Sequence, residues 1–519
     1  MLLIGGSTAL MPPEPEALSE QAIAMIGRGR AWHDRGDHDL AIAEYTDVIA
    51  LHPDHCLAYF LRGAVWADKQ EHDRVIADCT KAISLEADYA EFYLSRGNAW
   101  SSKGEFDRAI ADFTDAIRLK PNFEAAHYNR GNAWKNKREL DRAIADYTTA
   151  IQLDPTHVDS YLNRANAWAD KGDIDRAGAD YSAVIKLDPK HAGAYTNRGY
   201  GWLMKGDLDR AIADCNEAIR LGPDIWSYFN RGSAWASKGD FDHALADFSA
   251  AIRLQPGNPD AYIHRAVTWM DKNEPDHAIA DLSKAIELNP RHAVAYFSRG
   301  NAWQRKSDPD RALADFNEAI RVDPDYADAY YNRGRLWAEK GERKRAVADY
   351  SEMIRLNPGF AQAYNSRAIN RRALEDNDGA FADFAEAIRL DPQFFPSYYN
   401  RGNALHEAGD LNGALADFTM VIKLEPQGWE SYYNRGNVWR DKREFERATA
   451  DYTQSISRYP HFGWAYRARG RAKLELGDKA GGEADLALAD AIESGAPPPK
   501  AVSPLARMQA GWKTLFGRK

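Results

Sequence analysis

The 519-residue chain is predicted to be all-α, a tandem array of helical hairpins, on three observations. An Arg-Gly or Arg-Ala pair recurs at Arg28, Arg62, Arg96, Arg130, Arg164, Arg198, Arg231, Arg265, Arg299, Arg333, Arg367, Arg401, Arg435 and Arg469, with twelve of the thirteen steps 34 residues long and one 33. That period belongs to stacked helical hairpins rather than to a globular domain. Each repeat also carries two apolar stripes at helical spacing, and a Pro closes twelve of the fourteen.

The stretch from Tyr296 to Pro324, YFSRGNAWQRKSDPDRALADFNEAIRVDP, shows why one repeat is two helices. Tyr296, Arg299, Gly300 and Trp303 stand at i, i+3, i+4 and i+7, on one helical face. Ser307-Asp308-Pro309 interrupts the pattern, with Asp308 as an N-cap and Pro309 as a first helical residue. Ala312, Asp315, Phe316, Ala319 and Ile320 then form a second face, and Pro324 stops it. Gly300 is expected to lie opposite Ala312 and Ala319, so that the two backbones approach closely. One hairpin cannot bury both faces, so each leans on its neighbours and the core becomes a continuous strip.

The pattern resembles the tetratricopeptide repeat over roughly residues 22–496. Gly follows the Arg except at Ala165, Ala266 and Ala368, Trp stands four after it in eleven repeats, and helix two opens on Ala except at Val75 and Gly482. The closing Pro is missing only at Ala87 and Ser494. The resemblance implies a right-handed superhelical solenoid whose concave groove is built mostly by first helices. The family members that grip acidic chaperone tails use lysines on those helices. Residues such as Tyr128 and Leu162 stand where the first lysine would be, so negligible binding of such a tail is expected.

Net charge is −10 with both signs interleaved, which lacks the basic footprint of a nucleic-acid binder. Cys79 and Cys215 take the helix-two slot held elsewhere by Phe316 or Tyr147, and Cys56 lies at a repeat boundary. No disulfide pairing suggests itself, which points to a reducing compartment and a cytoplasmic location. No apolar stretch reaches the length of a membrane-spanning helix.

In chain order, residues 1–21 read as a disordered leader without the positive n-region of a secretory signal, a cryptic signal or a start at Met11 being the alternatives. The array occupies 22–496, its one short step falling between Pro223 and Arg231, where a local irregularity is expected. The repeat at Arg367 is the least regular, with Arg371 in the Trp position, and the last repeat carries Lys473 and Gly482 in place of Trp and Ala. Residues 497–519 form a Pro linker and a basic tail. Leu505, Met508, Trp512, Leu515 and Phe516 are expected to cap the array, peripheral contact with an anionic surface being the alternative.

Motifs for chemistry are missing: there is no phosphate-binding Gly loop with its Lys, no nucleophile elbow and no HExxH pair. His52-Pro-Asp-His55-Cys56 has metal-binding residue types but sits in an inter-repeat turn, so no metal or other cofactor is expected and no catalytic residue is assigned. One constellation concerns stability. An acid follows each repeat's Arg by sixteen residues, as in Arg130 with Asp146, Arg299 with Asp315 and Arg435 with Asp451, Glu44 being the one non-Asp. A charge in an apolar stripe must be paired. Spacing leaves open whether Arg299 meets Asp315 or Asp281 of the preceding repeat.

The other constellation faces the groove that the resemblance implies. The residue before the Arg is Asn129, Asn163, Asn197, Asn230, Asn332, Asn400 or Asn434 in seven repeats. The residue before that is often aromatic: Tyr128, Phe229, Phe297, Tyr331, Tyr399 and Tyr433. A carboxamide both donates and accepts, so a row of them suits an extended peptide backbone, and arrays of O-linked sugar transferases look similar in carrying Asn there. Packing on the previous repeat is the alternative for the rings, and bonding to neighbouring backbone for the amides. The expected function is a non-enzymatic scaffold holding a protein or extended peptide. A self-assembling structural scaffold and a targeting or regulatory subunit of an enzyme on another chain are the rivals.

Overall fold

A computed structural model describes residues 18–494. The described residues divide into two compact units, the first ending at Asn273 and the second beginning at Glu274. The first holds α1 (Glu20–Asp34), α2 (His38–Leu51), α3 (Cys56–Asp68), α4 (His72–Leu85), α5 (Ala90–Ser102), α6 (Phe106–Leu119), α7 (Glu124–Asn136), α8 (Leu140–Leu153), α9 (Val158–Asp170), α10 (Ile174–Leu187), α11 (Ala192–Met204), α12 (Leu208–Leu221), α13 (Ile225–Ser237), α14 (Phe241–Leu254) and α15 (Pro259–Asp271). The second holds α16 (Pro275–Leu288), α17 (Ala293–Arg305), α18 (Pro309–Val322), α19 (Ala327–Glu339), α20 (Arg343–Leu356), α21 (Ala361–Arg372), α22 (Asn377–Leu390), α23 (Phe395–Glu407), α24 (Leu411–Leu424), α25 (Trp429–Asp441), α26 (Phe445–Arg458), α27 (Gly463–Glu475) and α28 (Lys479–Glu493). No strand occurs among the described residues. Odd-numbered helices are first helices of their repeats and even-numbered ones second helices. Within α17–α18, Asp308 caps α18 by accepting from the Arg311 N–H at 3.1 Å, and Pro309 is its first residue, as the sequence predicts.

The turn between the two helices of a repeat needs one residue in the left-handed region. Gly supplies it in most repeats, as at Gly104 (φ 77°), and Ser307 (φ 57°) and Arg138 (φ 63°) adopt it without that freedom. At Gly300 the close approach is to a ring rather than to the two alanines the sequence suggested. A Cβ there would lie 2.6 Å from Phe316, whose side chain is fully buried. The core of most repeats is therefore the Phe or Tyr of the second helix, inserted against the Arg-Gly turn of the first, with Leu282 and Leu486 in that position in two others. Cys79 and Cys215 take that place in their repeats, and Cys56 is buried as well, against Ala82 and Phe92.

Within each unit successive first helices touch, as α3 does α5, α5 does α7, α7 does α9 and α11 does α13, and likewise α19 through α27. Second helices do not meet one another to that extent among the described residues. The first helices therefore line the inner side of each stack. At the short step, Asp224 caps α13 by accepting from the N–H groups of Trp226 (2.8 Å) and Ser227 (3.0 Å). Here α11 and α13 pack far more closely than other successive first helices. The expected leader lies outside the described residues as far as residue 17, α1 starting at Glu20 behind the capping Ser19, and the tail of 497–519 lies wholly outside them.

Candidate functional site

The Arg and the acid that follows it by sixteen residues pair within their own repeat. Arg299 donates from Nε to Asp315 Oδ2 (2.9 Å) and from Nη2 to Oδ1 (2.8 Å), a bidentate bond. Twelve further pairs have the same form, from Arg28 with Glu44 to Arg469 with Asp485. The Asp side chains are buried and the arginines mostly so, Arg28 at the first repeat being the half-exposed exception. The third guanidinium nitrogen reaches the preceding repeat. Arg299 Nη1 donates to Ser283 Oγ (3.1 Å), Arg164 Nη1 to Thr148 Oγ1 (3.0 Å) and Arg333 Nη1 to Asn317 Oδ1 (2.7 Å). One side chain thus closes its own hairpin and ties it to its neighbour. The signal was present in the sequence: a Ser, Thr or Asn stands two residues after the Asp in most repeats, and sequence reasoning missed it.

Arg371, in the Trp position, joins the Arg367–Asp383 pair by donating from Nη1 to Asp383 Oδ2 at 2.9 Å. Lys473 does the same for Asp485, also at 2.9 Å. Burial alone raises the Asp485 carboxyl, but Arg469 and Lys473 together outweigh it and hold the group below its ordinary value. At Asp349 burial is opposed by Arg333 alone and leaves the carboxyl raised.

The seven asparagines are half-buried on first helices, and each donates from Nδ2 to the preceding repeat. Asn129 bonds Asn98 Oδ1 (2.9 Å), Asn197 bonds Asn166 Oδ1 (3.3 Å), Asn332 bonds Asn301 Oδ1 (2.8 Å) and Asn400 bonds Asn365 Oδ1 (3.1 Å). Asn163 donates to both Tyr128 Oη (3.0 Å) and Asn132 Oδ1 (3.2 Å), and Asn434 to both Tyr399 Oη and Asn403 Oδ1 (3.1 Å each). Asn230 departs from this pattern. Tyr200 stands where an Asn acceptor would be, and Asn230 donates instead to the Thr196 carbonyl (3.2 Å). The amide row therefore stitches first helix to first helix, with the carboxamides held in fixed orientations.

The aromatic residues also pack between repeats. Tyr128 lies against Tyr147 of its own second helix (centroids 6.0 Å) and edge-on to His157 ahead of α9 (4.8 Å). Phe297 meets Phe316 and Tyr326, Tyr331 meets Tyr350 and Phe360, and Tyr433 meets Tyr452 and Phe462 in the same way. Tyr399 lies against Phe418. Phe229, against Phe248 and His264, is buried, whereas the other five are half-buried. His157 Nδ1 lies 2.9 Å from Glu124 in α7, and that pairing raises its pKa against the opposing effect of burial.

His52, His55 and Cys56 do not converge: His52 Nε2 lies 3.2 Å from Ser19 Oγ, and His55 Nδ1 accepts from the Ala58 N–H at 3.1 Å. Among the described residues His33, His38 and Asp68 offer three ligand atoms within 4.8 Å of one another, with His33 Nε2 2.6 Å from Asp68 Oδ2. No helix of the described residues is long and apolar enough to cross a membrane.

Models described as tetratricopeptide repeat match residues 27–88, 124–157, 162–224, 227–258, 259–292, 297–361 and 384–416, and one described as TPR repeat matches 97–137. No curated protein matches the chain. Among solved structures it is similar to a tetratricopeptide repeat protein from Parabacteroides merdae ATCC 43184, at 21% identity over 45% of this chain and 93% of that one, TM-score 0.39. It is also similar to YrrB, described as a TPR protein with an unusual peptide-binding site, at 23% identity over 36% of this chain and 97% of that one, TM-score 0.31. Yeast Tom70 matches at 18% identity over 78% and 96%, TM-score 0.34. The family matches fall on the same hairpins that the Arg and Pro marks delimit, and the chain belongs to the tetratricopeptide repeat family.

Proposed function

We propose that this chain is a non-enzymatic scaffold that holds a protein, through an extended segment of it, along its first-helix face. The supporting observation is the run of Asn129, Asn163, Asn197 and Asn230 on four consecutive first helices of one unit, each orientated by a bond to the helix before it. A carboxamide has two N–H donors and an acceptor oxygen, so one structural bond leaves it able to meet a peptide group, and Asn163, with two bonds donated, still presents its oxygen. Orientation in advance lowers the entropy cost of binding. Helices pack roughly 10 Å apart and an extended chain advances about 3.3 Å per residue, so successive amides match about every third peptide residue. Tyr128 and Phe229 flank the run, and the corresponding faces of α19, α23 and α25 repeat it with Asn332, Asn400 and Asn434.

The test is affinity capture with quantitative mass spectrometry, comparing the full chain with a variant carrying Ala at the four asparagines. Captured partners are expected to fall at least tenfold, while far-ultraviolet circular dichroism stays unchanged. Each substitution also removes a part-buried bond between repeats, about 0.5–1.5 kcal/mol, so hydrogen exchange across α7–α13 is measured in parallel. Undiminished capture with measurably faster exchange would show that the amides serve the stack alone.

A further inference from the structure

In most repeats a large aliphatic residue fourteen after the Arg, such as Ile110, Ile144 or Ile212, fills the space over the second helix between successive first helices, and each of these three is buried. Residue 178 is Gly. A Cβ built there meets nothing within 4 Å, so the space is open. A second departure widens the same place. Gly201 stands where Ala99, Ala133 and Ala167 stand in their repeats, and a Cβ there would press on Ile174 Cγ2 at 3.2 Å. The result is a cavity of about 310 Å³ bounded by α7, α9, α10 and α11, with Ile174, Ala177, Gly178 and Tyr181 beneath it.

Its mouth opens beside the amide row, since Asn166 and Asn197 are part of its wall. The third departure is at the rim. Tyr200 replaces the Asn found at 98, 132 and 166, and the residue is 47% exposed. Met204, one turn further along α11, is 61% exposed on the same helical face. Isolated exposed apolar residues are ordinary, but two on one face beside an open cavity form a patch.

We infer that this cavity is a specificity pocket that takes an aromatic side chain from the bound segment. The inference rests on the first-helix face being the binding face. The cavity lies at the small end of the range of pockets that take ligands, and Lys135, Asp170 and Arg198 add charge to its wall; its floor of Ile174, Ala177 and Tyr181 and its Tyr200 rim suit a ring, which packs on the tyrosines and fills the volume that the missing Ile leaves. The amides give grip without regard to sequence, and the pocket sets one residue of the register.

The probes are four peptides, acetyl-Ala-Ala-X-Ala-Ala-amide with X as Phe, Tyr, Leu or Ala, titrated into the full chain with carbon-13-labelled isoleucine methyls and nitrogen-15-labelled asparagine side-chain amides, the latter reporting on the first helices. The Phe and Tyr peptides are expected to shift the Ile174 methyls and to bind at least tenfold more tightly than the Ala peptide, with Leu weaker than Phe. Gly178→Ile, which restores the residue of the neighbouring repeats, is expected to abolish that preference. Tyr200→Asn is expected to reduce it in a chain whose folding is undisturbed. Leu binding as tightly as Phe, or a preference that survives Gly178→Ile, would overturn the pocket, as would no shift at Ile174. Equal binding of all four peptides, with shifts along other first helices, overturns the pocket and leaves the scaffold reading standing. A preference seen at Ile174 with no peptide contact at other first helices keeps the pocket and removes the extended groove.

Discussion

Replacing Arg299 by Ala tests the Arg/Asp pairs most directly, because the structure specifies what is left behind. Asp315 is 7% exposed and Arg299 22%. Truncation removes two bonds from the carboxylate and one from Ser283. Breaking a buried pair from one side costs about 3–5 kcal/mol, because the remaining charge is desolvated and unpaired. The exposed fifth of Arg299 lets water reach the vacated space, which favours the lower end, near 3 kcal/mol. One decade in an equilibrium constant is about 1.4 kcal/mol, so local opening should become roughly a hundredfold more frequent. Contacts in a repeat stack are between neighbours, so the loss should be confined to α16–α20 and leave α25–α28 unchanged. Hydrogen exchange with mass spectrometry is the suitable assay, since a long array does not unfold in two states. Changing both members, Arg299→Met with Asp315→Leu, should restore most of the protection. If Arg299→Ala leaves exchange in α17 and α18 as it was, the pair is solvated and the burial argument fails.

Two further outcomes follow from the same contacts. His157 has its pKa raised by Glu124, so the α7–α9 tie is complete below the ordinary histidine value and is lost as pH rises through the folded value. Protection of α9, taken relative to the intrinsic base-catalysed exchange rate at each pH, should therefore fall as pH rises through that value in the native chain and not in His157→Gln. Arg401 faces Ala385, where other repeats offer Ser, Thr or Asn, and the α22–α23 junction is the thinnest between consecutive repeats of its unit. Ala385→Ser adds a bond of about 1 kcal/mol and loses about 0.5 in helix propensity, so exchange at that junction should slow about twofold. Equal or faster exchange would show that Arg401 gains nothing from a hydroxyl.

Period, helix pairs, turns and the Arg/Asp spacing were legible because each depends on residues within one repeat. Asp308 before Pro309 needs no tertiary information to be read as a helix start. What stayed out of reach depends on neighbouring repeats. The Arg column and the Ser/Thr/Asn column are both visible in the sequence, but only the packed stack shows that Arg299 Nη1 crosses to Ser283. The same holds for Asn129, whose spacing placed it on the first-helix face without revealing that its amide is already bonded to Asn98. Gly300 was assigned a helix-to-helix approach between small residues, whereas the Phe316 ring is what requires it. Spacing along one helix fixes a face; it does not say which side chain of the partner arrives there.

The departures from the repeat are informative for the same reason. A repeat that follows the pattern has its side chains committed to its neighbours, as Tyr147 is to Asn132 and Tyr181 to Asn166, at 2.8 and 2.7 Å. Between Arg164 and Arg231 the pattern breaks at Gly178, Tyr200 and Gly201 and then loses a residue before α13. Across the lost residue the ties persist, with Arg231 Nη1 bonded to Asn216 Oδ1 at 2.5 Å and Lys238 paired with Asp209. The stack thus keeps its connections there while giving up an apolar filling and exposing a ring. Glycine within a helix lowers stability relative to a filled position, and nothing in the hairpin itself requires it at 178. Local rules broken without local compensation mark places shaped by something other than folding. On that ground the inferred pocket beside Tyr200, rather than the regular repeats on either side, is where we place partner selectivity.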